Sequence, residues 1–274
     1  MRAMSIPQPW QAEAYNQVPE SENRIHSDEI ARRYGFQGGL VPGVTVTAYL
    51  CHPAVDAWGM DWLERGRARA VVSTPLYDRK RFRVELTDAS ARAYEAVLTD
   101  EDATRCATAS VELPERVPTP PSMRGSPRID EAFRRPRASR EVMEELRERG
   151  LHALCTRWNR AAEITGYLRN SSEMPELLRS DGGGYANTAF SLGLTNWALA
   201  GNVRMEAWLH LQTESQNYRP IPRDSELLVE SAIADLFEKK GHEFVDLDVA
   251  AYLLDTQEPV MSARLRALYR LRGS

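Results

Sequence analysis

Residues 40–59 read LVPGVTVTAYLCHPAVDAWG, an apolar run led in by Gly38 and Gly39. Its β-branched start suits a strand as well as a helix, but its length and the preceding glycines favour a buried helix. Four segments with partial apolar and polar alternation come next: RARAVVSTPLY at 67–77, RFRVELTD at 81–88, RAYEAVLTD at 92–100 and RCATASVELP at 105–114. The polar stretches between them, DRK, DAS and DEDA, read as turns. One helix followed by an antiparallel meander is therefore expected.

The same order returns further along the chain. GGGYANTAFSLGLTNWALAG at 182–201 is a second glycine-led apolar helix. MEAWLHLQTESQNYRPI at 205–221, SELLVESAIADLFEKKG at 225–241, HEFVDLDVAAYLLD at 242–255 and PVMSARLRALYRL at 259–271 read as strands, with a hairpin turn at Lys239, Lys240 and Gly241. Between the copies, residues 113–137 carry six prolines, too many for a helix or a central strand. EVMEELRERGLHAL at 141–154 has helical spacing, and RAAEITGYLR at 160–169 is the candidate opening strand of the second copy. The expected division is a first half at 1–113, a linker at 114–140 and a second half at 141–274. Such a chain is α+β, two helix-plus-antiparallel-sheet repeats packed side by side.

A net charge of −4 gives no overall attraction to nucleic acid or to an anionic membrane surface. The arginines between 124 and 149 are interleaved with Glu141, Glu144, Glu145 and Glu148 at helical spacing, which reads as a solvated, ion-paired face. No apolar run approaches membrane-spanning length, and the first residues lack the basic-then-apolar order of a signal peptide, so a cytoplasmic protein is expected. Cys51, Cys106 and Cys155 are odd in number and far apart. They suggest neither a disulfide framework nor a metal site, and are expected to be small buried hydrophobes.

Ahead of the first helix, SENRIHSDEIARRYGFQGGLVPG at 21–43 sets His26 on a polar loop, then a charged helical turn, then glycines and a proline. The duplicated helix-and-sheet order resembles the double hotdog fold, shared by MaoC-like (R)-specific enoyl-CoA hydratases and some acyl-CoA thioesterases. The loop resembles the hydratase motif Gly-Asp-x-Asn-Pro-Ile/Leu-His. Asn23, Ile25 and His26 match it, and GGLVPG at 38–43 is similar to the family's Gly-x-x-Val-His-Gly approach to the central helix, with Pro42 in place of its histidine. Ser21 stands where the family has its catalytic aspartate, and a hydroxyl cannot accept a proton near neutrality.

Hydration of an enoyl thioester needs a base for water, an acid for the α-carbon and donors for the charge that develops on the thioester oxygen. The resemblance implies His26 as base or acid, Asn23 as a holder of water or of a substrate amide, and the Gly43 N–H as oxyanion donor, with Gly39, Leu40 and Val41 beside the substrate. Glu22 and Asp28 are the carboxylates able to replace the missing aspartate, and both also read as solvated charges or caps, with Ser27 or Asp28 at the N-cap of the turn. In the second half, strand alternation puts His210, Gln212 and Glu214 on one face, continued by Gln216, a row that reads as a solvated face or, alternatively, as the lining of a cleft. Trp197, Trp208 and Tyr218 are candidates for the core or for lining an acyl tunnel. The second glycine lead-in, DGGGYANT, has no loop histidine near it, so a single site in the first half is expected.

The activity these residues lead to expect is hydration or dehydration of an acyl thioester carried by coenzyme A or an acyl carrier protein, a lyase reaction of fatty acid metabolism. A thioesterase on the same fold, with Glu22 activating water, and a non-catalytic binder of acyl-CoA or a hydrophobic ligand are the alternatives. No cofactor beyond the coenzyme A of the substrate is expected, nor a nucleic-acid or membrane partner. Monomer and homodimer both suit one chain carrying two repeats.

Overall fold

The computed structural model describes residues 5–179 and 181–272; residues 1–4, 180 and 273–274, which the expected division places in the two halves, lie outside the described residues. The first half runs through β1 (Trp10–Glu13), α1 (Asp28–Arg33), α2 (Gly43–Trp58), α3 (Met60–Arg65), β2 (Arg67–Val72), β3 (Arg81–Thr87), β4 (Ala93–Asp100) and β5 (Arg105–Glu112). The second runs through α4 (Arg140–Arg149), β6 (Leu154–Arg157), α5 (Thr188–Asn202), β7 (Leu209–Asn217), β8 (Glu226–Lys239), β9 (His242–Leu253) and β10 (Pro259–Arg270).

The ten strands make one antiparallel sheet in the order β1-β3-β4-β5-β2-β7-β10-β9-β8-β6. Read outward from the middle, the halves mirror each other: β2, β5, β4, β3, β1 on one side and β7, β10, β9, β8, β6 on the other. The seam is the β2–β7 pair, with Arg67 opposite Gln216 and Val71 opposite Gln212. The two long helices, α2 and α5, lie against each other and against this sheet. Both are buried nearly all round, which is why neither sequence shows a polar stripe: every residue from Val44 to Cys51 is buried, as are Ala189, Phe190, Leu192, Gly193, Leu194 and Thr195.

Pro53 lies inside α2, where it removes the N–H that would bond the Tyr49 carbonyl four residues back. Trp10 of β1 supplies the missing donor, its Nε1 lying 3.0 Å from the Tyr49 oxygen. The proline is thus tolerated because the sheet edge repairs the helix.

Three expectations are corrected. The opening strand of the second half is β6, not 160–169. That segment is a looped stretch whose Ile164, Tyr167 and Leu168 pack into the core. Of the cysteines, Cys51 and Cys106 are buried but Cys155 is exposed. The third concerns β7, where Gln212 pairs with Arg266 and His210 with Ala267, leaving Leu211 without a partner. This bulge breaks the simple alternation. Gln212 and Glu214 stay together on one face, joined by a 3.3 Å hydrogen bond, while His210 turns inward and is only 8% exposed.

The proline-rich stretch between the halves holds no helix or strand and is strapped down. Glu230 of β8, itself buried, accepts hydrogen bonds from the backbone N–H groups of Arg124 and Ser126, and the Tyr252 hydroxyl donates to the Pro121 carbonyl. The hairpin expected at Lys239–Gly241 forms with Lys240 and Gly241 both at positive φ, the geometry of a two-residue turn.

Candidate active site

The loop carrying His26 is built by short-range bonds. Asn23 caps a single 3-10 turn, Arg24–His26, its side chain accepting from the Ile25 N–H, and the turn buries Ile25 as an anchor. The His26 ring then lies against the approach to α2, with Nδ1 2.7 Å from the Leu40 carbonyl oxygen. A carbonyl can only accept, so Nδ1 carries the proton and Nε2 keeps its lone pair. The Asn23 Nδ2 group faces that lone pair at 3.4 Å. Burial pushes the histidine pKa down to about 4, with the Leu40 bond opposing part of the shift. At neutral pH His26 is therefore an uncharged imidazole with a fixed tautomer.

Gly39 makes this placement possible, since a Cβ there would collide with the His26 carbonyl. Its N–H in turn donates to Asp28 Oδ1 at 2.8 Å, and Asp28 also pairs with Arg32 at 3.0 Å. Asp28 is thus a brace for the 38–40 segment, and the structure gives it no contact with the imidazole. Glu22 is likewise engaged elsewhere: Arg135 of the linker holds both its oxygens, at 2.8 and 2.9 Å, and reaches on to the Ala200 carbonyl of α5. Ser21 donates to the Asn23 carbonyl at 3.3 Å. Asn23 itself is spent on structure, bonding the Trp208 carbonyl at 3.1 Å and accepting from the Trp208 N–H at 3.3 Å across the join between halves. Among the described residues, no hydrogen bond or ion pair joins His26 to a carboxylate.

Two clefts flank His26, and four residues line both: Asn23, His26, Asn196 and Trp208. The first is walled mainly by aliphatic groups, Leu40 and Val41 on one side, Leu76, Leu209 and Leu211 on the others, and Gly43 reaches it. The second carries Ser21, Glu22 and Arg135 among the apolar Val18, Val44 and Trp197. Tyr218 and Gly39, both expected beside the substrate, line neither cleft, and the Tyr218 hydroxyl is 3.0 Å from Ser262 Oγ.

The two long helices begin differently, which bears on where a site can form. Pro42 at the N-cap of α2 offers no side-chain acceptor, so the first N–H groups, Gly43 among them, remain without a cap. Asn187 caps α5 with its own side chain, bonding the Phe190 N–H at 3.0 Å. The start of α2 also reaches a cleft through Gly43, where the positive end of its peptide dipoles can face an oxygen.

From the second half, sequence reasoning named His210 and Trp208 but not their placement against the start of α2. His210 from β7 packs directly on Gly43, where a Cβ would lie 2.7 Å from the His210 carbonyl oxygen. Its Nδ1 is 2.8 Å from Asn196 Oδ1 on α5, and its Nε2 bonds the Thr213 hydroxyl. Residues three apart on a regular strand face opposite ways, so the His210–Thr213 contact exists because of the bulge between them. Burial lowers the His210 pKa to about 3, so it too is neutral. Arg135, from the linker, was another site residue read only as a solvated charge.

No family model matches the chain, and no curated protein matches it in sequence. Solved structures do match over nearly its whole length. A conserved hypothetical protein of Mycobacterium tuberculosis, described as having a double hotdog fold, is 13% identical and covers 96% of each chain with a TM-score of 0.56. A provisionally assigned MaoC domain dehydratase of Chloroflexus aurantiacus is 9% identical, covering 98% of this chain and 96% of its own, with a TM-score of 0.57. A provisionally assigned thioesterase of Novosphingobium aromaticivorans is 11% identical, covering 99% and 100%, with a TM-score of 0.52. With the mirrored half-sheets, the two central helices and the β2–β7 seam, these likenesses establish that the chain has the double hotdog fold.

Proposed function

We propose that this protein hydrates 2-enoyl thioesters of coenzyme A or an acyl carrier protein, and dehydrates the corresponding 3-hydroxyacyl thioesters. The observation that carries the reading is one uncharged imidazole that lines two clefts. A thioester is a long molecule with its reacting carbons in the middle, so it needs room on both sides of the catalytic group. One cleft takes the acyl chain and the other the pantetheine arm.

With Glu22 and Asp28 bonded elsewhere and Ser21 unable to act as a base, His26 performs both proton transfers. Its Nε2, giving up the long 3.4 Å contact with Asn23 Nδ2, takes a proton from water as the water oxygen bonds to C3 of the enoyl chain. The π electrons move through C2 to the thioester oxygen, where the Gly43 N–H at the positive end of α2 stabilises the enolate. The imidazolium then returns its proton to C2, giving the 3-hydroxyacyl thioester. The low pKa makes the imidazolium a strong acid, which suits the return of the proton to carbon.

Hydrolysis is a second reading, favoured by the same lack of a carboxylate beside His26, because a single base suffices to activate water and a thiolate departs without an acid. Product analysis decides between them. The protein incubated with 2-octenoyl-CoA should consume the conjugated enoyl absorbance while all the coenzyme A stays acylated. Release of titratable thiol would replace this reading with hydrolysis. Binding of the thioester with neither change would make the protein a binder.

A further inference from the structure

Asn196 lines both clefts, yet neither the loop nor the lead-in to α2 supplies it. It comes from the middle of α5, the central helix of the other half. Its orientation is fixed from behind. His210 Nε2 is occupied by the Thr213 hydroxyl, and the proton on His210 Nδ1 goes to Asn196 Oδ1 at 2.8 Å. With its oxygen taken by His210, the NH₂ of this cleft-lining group is what remains for a ligand. Gly43 is the immediate neighbour of His210, so this amide and the free end of α2 are adjacent surfaces of one pocket wall.

We propose that Asn196 Nδ2 is a second donor to the thioester carbonyl oxygen, acting beside the Gly43 N–H, and that His210 and Thr213 are positioning residues that hold it. The assignment rests on the reading of the cleft as an acyl-thioester site. It means that the oxyanion pocket draws one donor from each half, although the base comes from the first half alone. The bulge in β7 serves this arrangement by bringing Thr213 onto the face of His210.

The test reads the carbonyl itself. The ligand is the amide analogue of octanoyl-CoA, with sulfur replaced by NH and ¹³C at the carbonyl, which can be neither hydrated nor readily hydrolysed. Its isotope-edited infrared band and its affinity are measured with the wild-type protein, N196D, N196A and H210F. N196D keeps an acceptor for His210 but has no donor for the ligand, and N196A guards against misfolding of the charged variant. In the wild type the band should lie below its position in water. In N196D and N196A it should move back toward that position, and in H210F, where Asn196 is present but unheld, it should broaden. Turnover of 2-octenoyl-CoA should fall about a hundred- to thousandfold in N196D, in kcat rather than KM, as for loss of one oxyanion donor. A bound band unmoved by both Asn196 variants would overturn the assignment and leave the thioester reading intact. Failure of the wild-type protein to bind the analogue would overturn both.

Discussion

His26 concentrates the chemistry of the site in one side chain, and its surroundings set what its replacement should do. His26→Ala removes the base and acid together, so turnover should fall at least a hundredfold and by as much as about ten-thousandfold. It also leaves the Leu40 carbonyl without its donor, at a cost of about 1–3 kcal/mol, which a melting curve will register as a modest loss with the fold retained. A variant with full turnover would remove His26 from the mechanism. The rate should depend on pH as a buried neutral imidazole dictates: kcat/KM flat through pH 6.5 and falling only as pH approaches about 4, where His26 gains a proton. An acid limb centred near 6.5 would mean an exposed ring. Gly39→Ala should lower kcat through displacement of the His26 carbonyl, although residue 39 bears no reactive group. Unchanged kcat in a folded Gly39→Ala protein would show that the loop can yield without moving the imidazole. His26, Gly39 and Gly43 were legible in the sequence because they fall within one short motif. His210 was visible only as one member of a polar strand row, and Asn196 not at all, since nothing local marks a residue that the fold brings from more than 150 positions away.

At the level of elements, helix and strand identities followed from length and alternation, whereas β1 and β6 escaped. Four residues are too few to show a period, and both lie at the sheet's ends, where half their hydrogen bonds are absent. The bulge in β7 was invisible for a different reason: Leu211 is an ordinary strand residue, and only its lack of a partner on β10 marks it. The repair of α2 by β1 gives a direct test of element coupling. Trp10→Phe strands the Tyr49 carbonyl and should destabilise by about 1–3 kcal/mol. In a Pro53→Ala background the restored N–H serves that carbonyl, so the penalty of Trp10→Phe should shrink by about 1 kcal/mol or more. Additive effects in this double-mutant cycle, measured by denaturant unfolding, would show that the indole bond contributes nothing.

The whole molecule is a single sheet closed at its middle by β2 and β7, with the site where the two halves meet. Its repeat was readable because each copy carries its own helix and four long strands. The site's two-sided construction was not, because the sequence order says nothing of which loop faces which helix. Three buried or part-buried histidines spread across this structure, His26, His52 and His210, have pKa values lowered by burial to about 4, 4 and 3. In the unfolded chain each titrates near 6.5. Below that pH the unfolded state binds protons that the folded state refuses, so stability falls as pH drops from about 6.5 toward 4. Most carboxylates stay ionised down to about pH 5, so the interval from 6.5 to 5 isolates the histidines. The melting temperature should decline across it, and the decline should lessen in His52→Gln. A melting temperature constant from pH 6.5 to 5 would contradict the neutral state assigned to these rings.

That one imidazole gives and takes both protons is tested most directly by the stereochemistry of hydration in heavy water. A 2-octenoyl thioester incubated with the protein in D₂O should yield 3-hydroxyoctanoyl product carrying one deuterium at C2, on the same face as the new hydroxyl, because His26 Nε2 serves both carbons from one side. Deuterium on the opposite face would require a second acid across the cleft and would contradict the account, as would release of free coenzyme A in place of hydrated product.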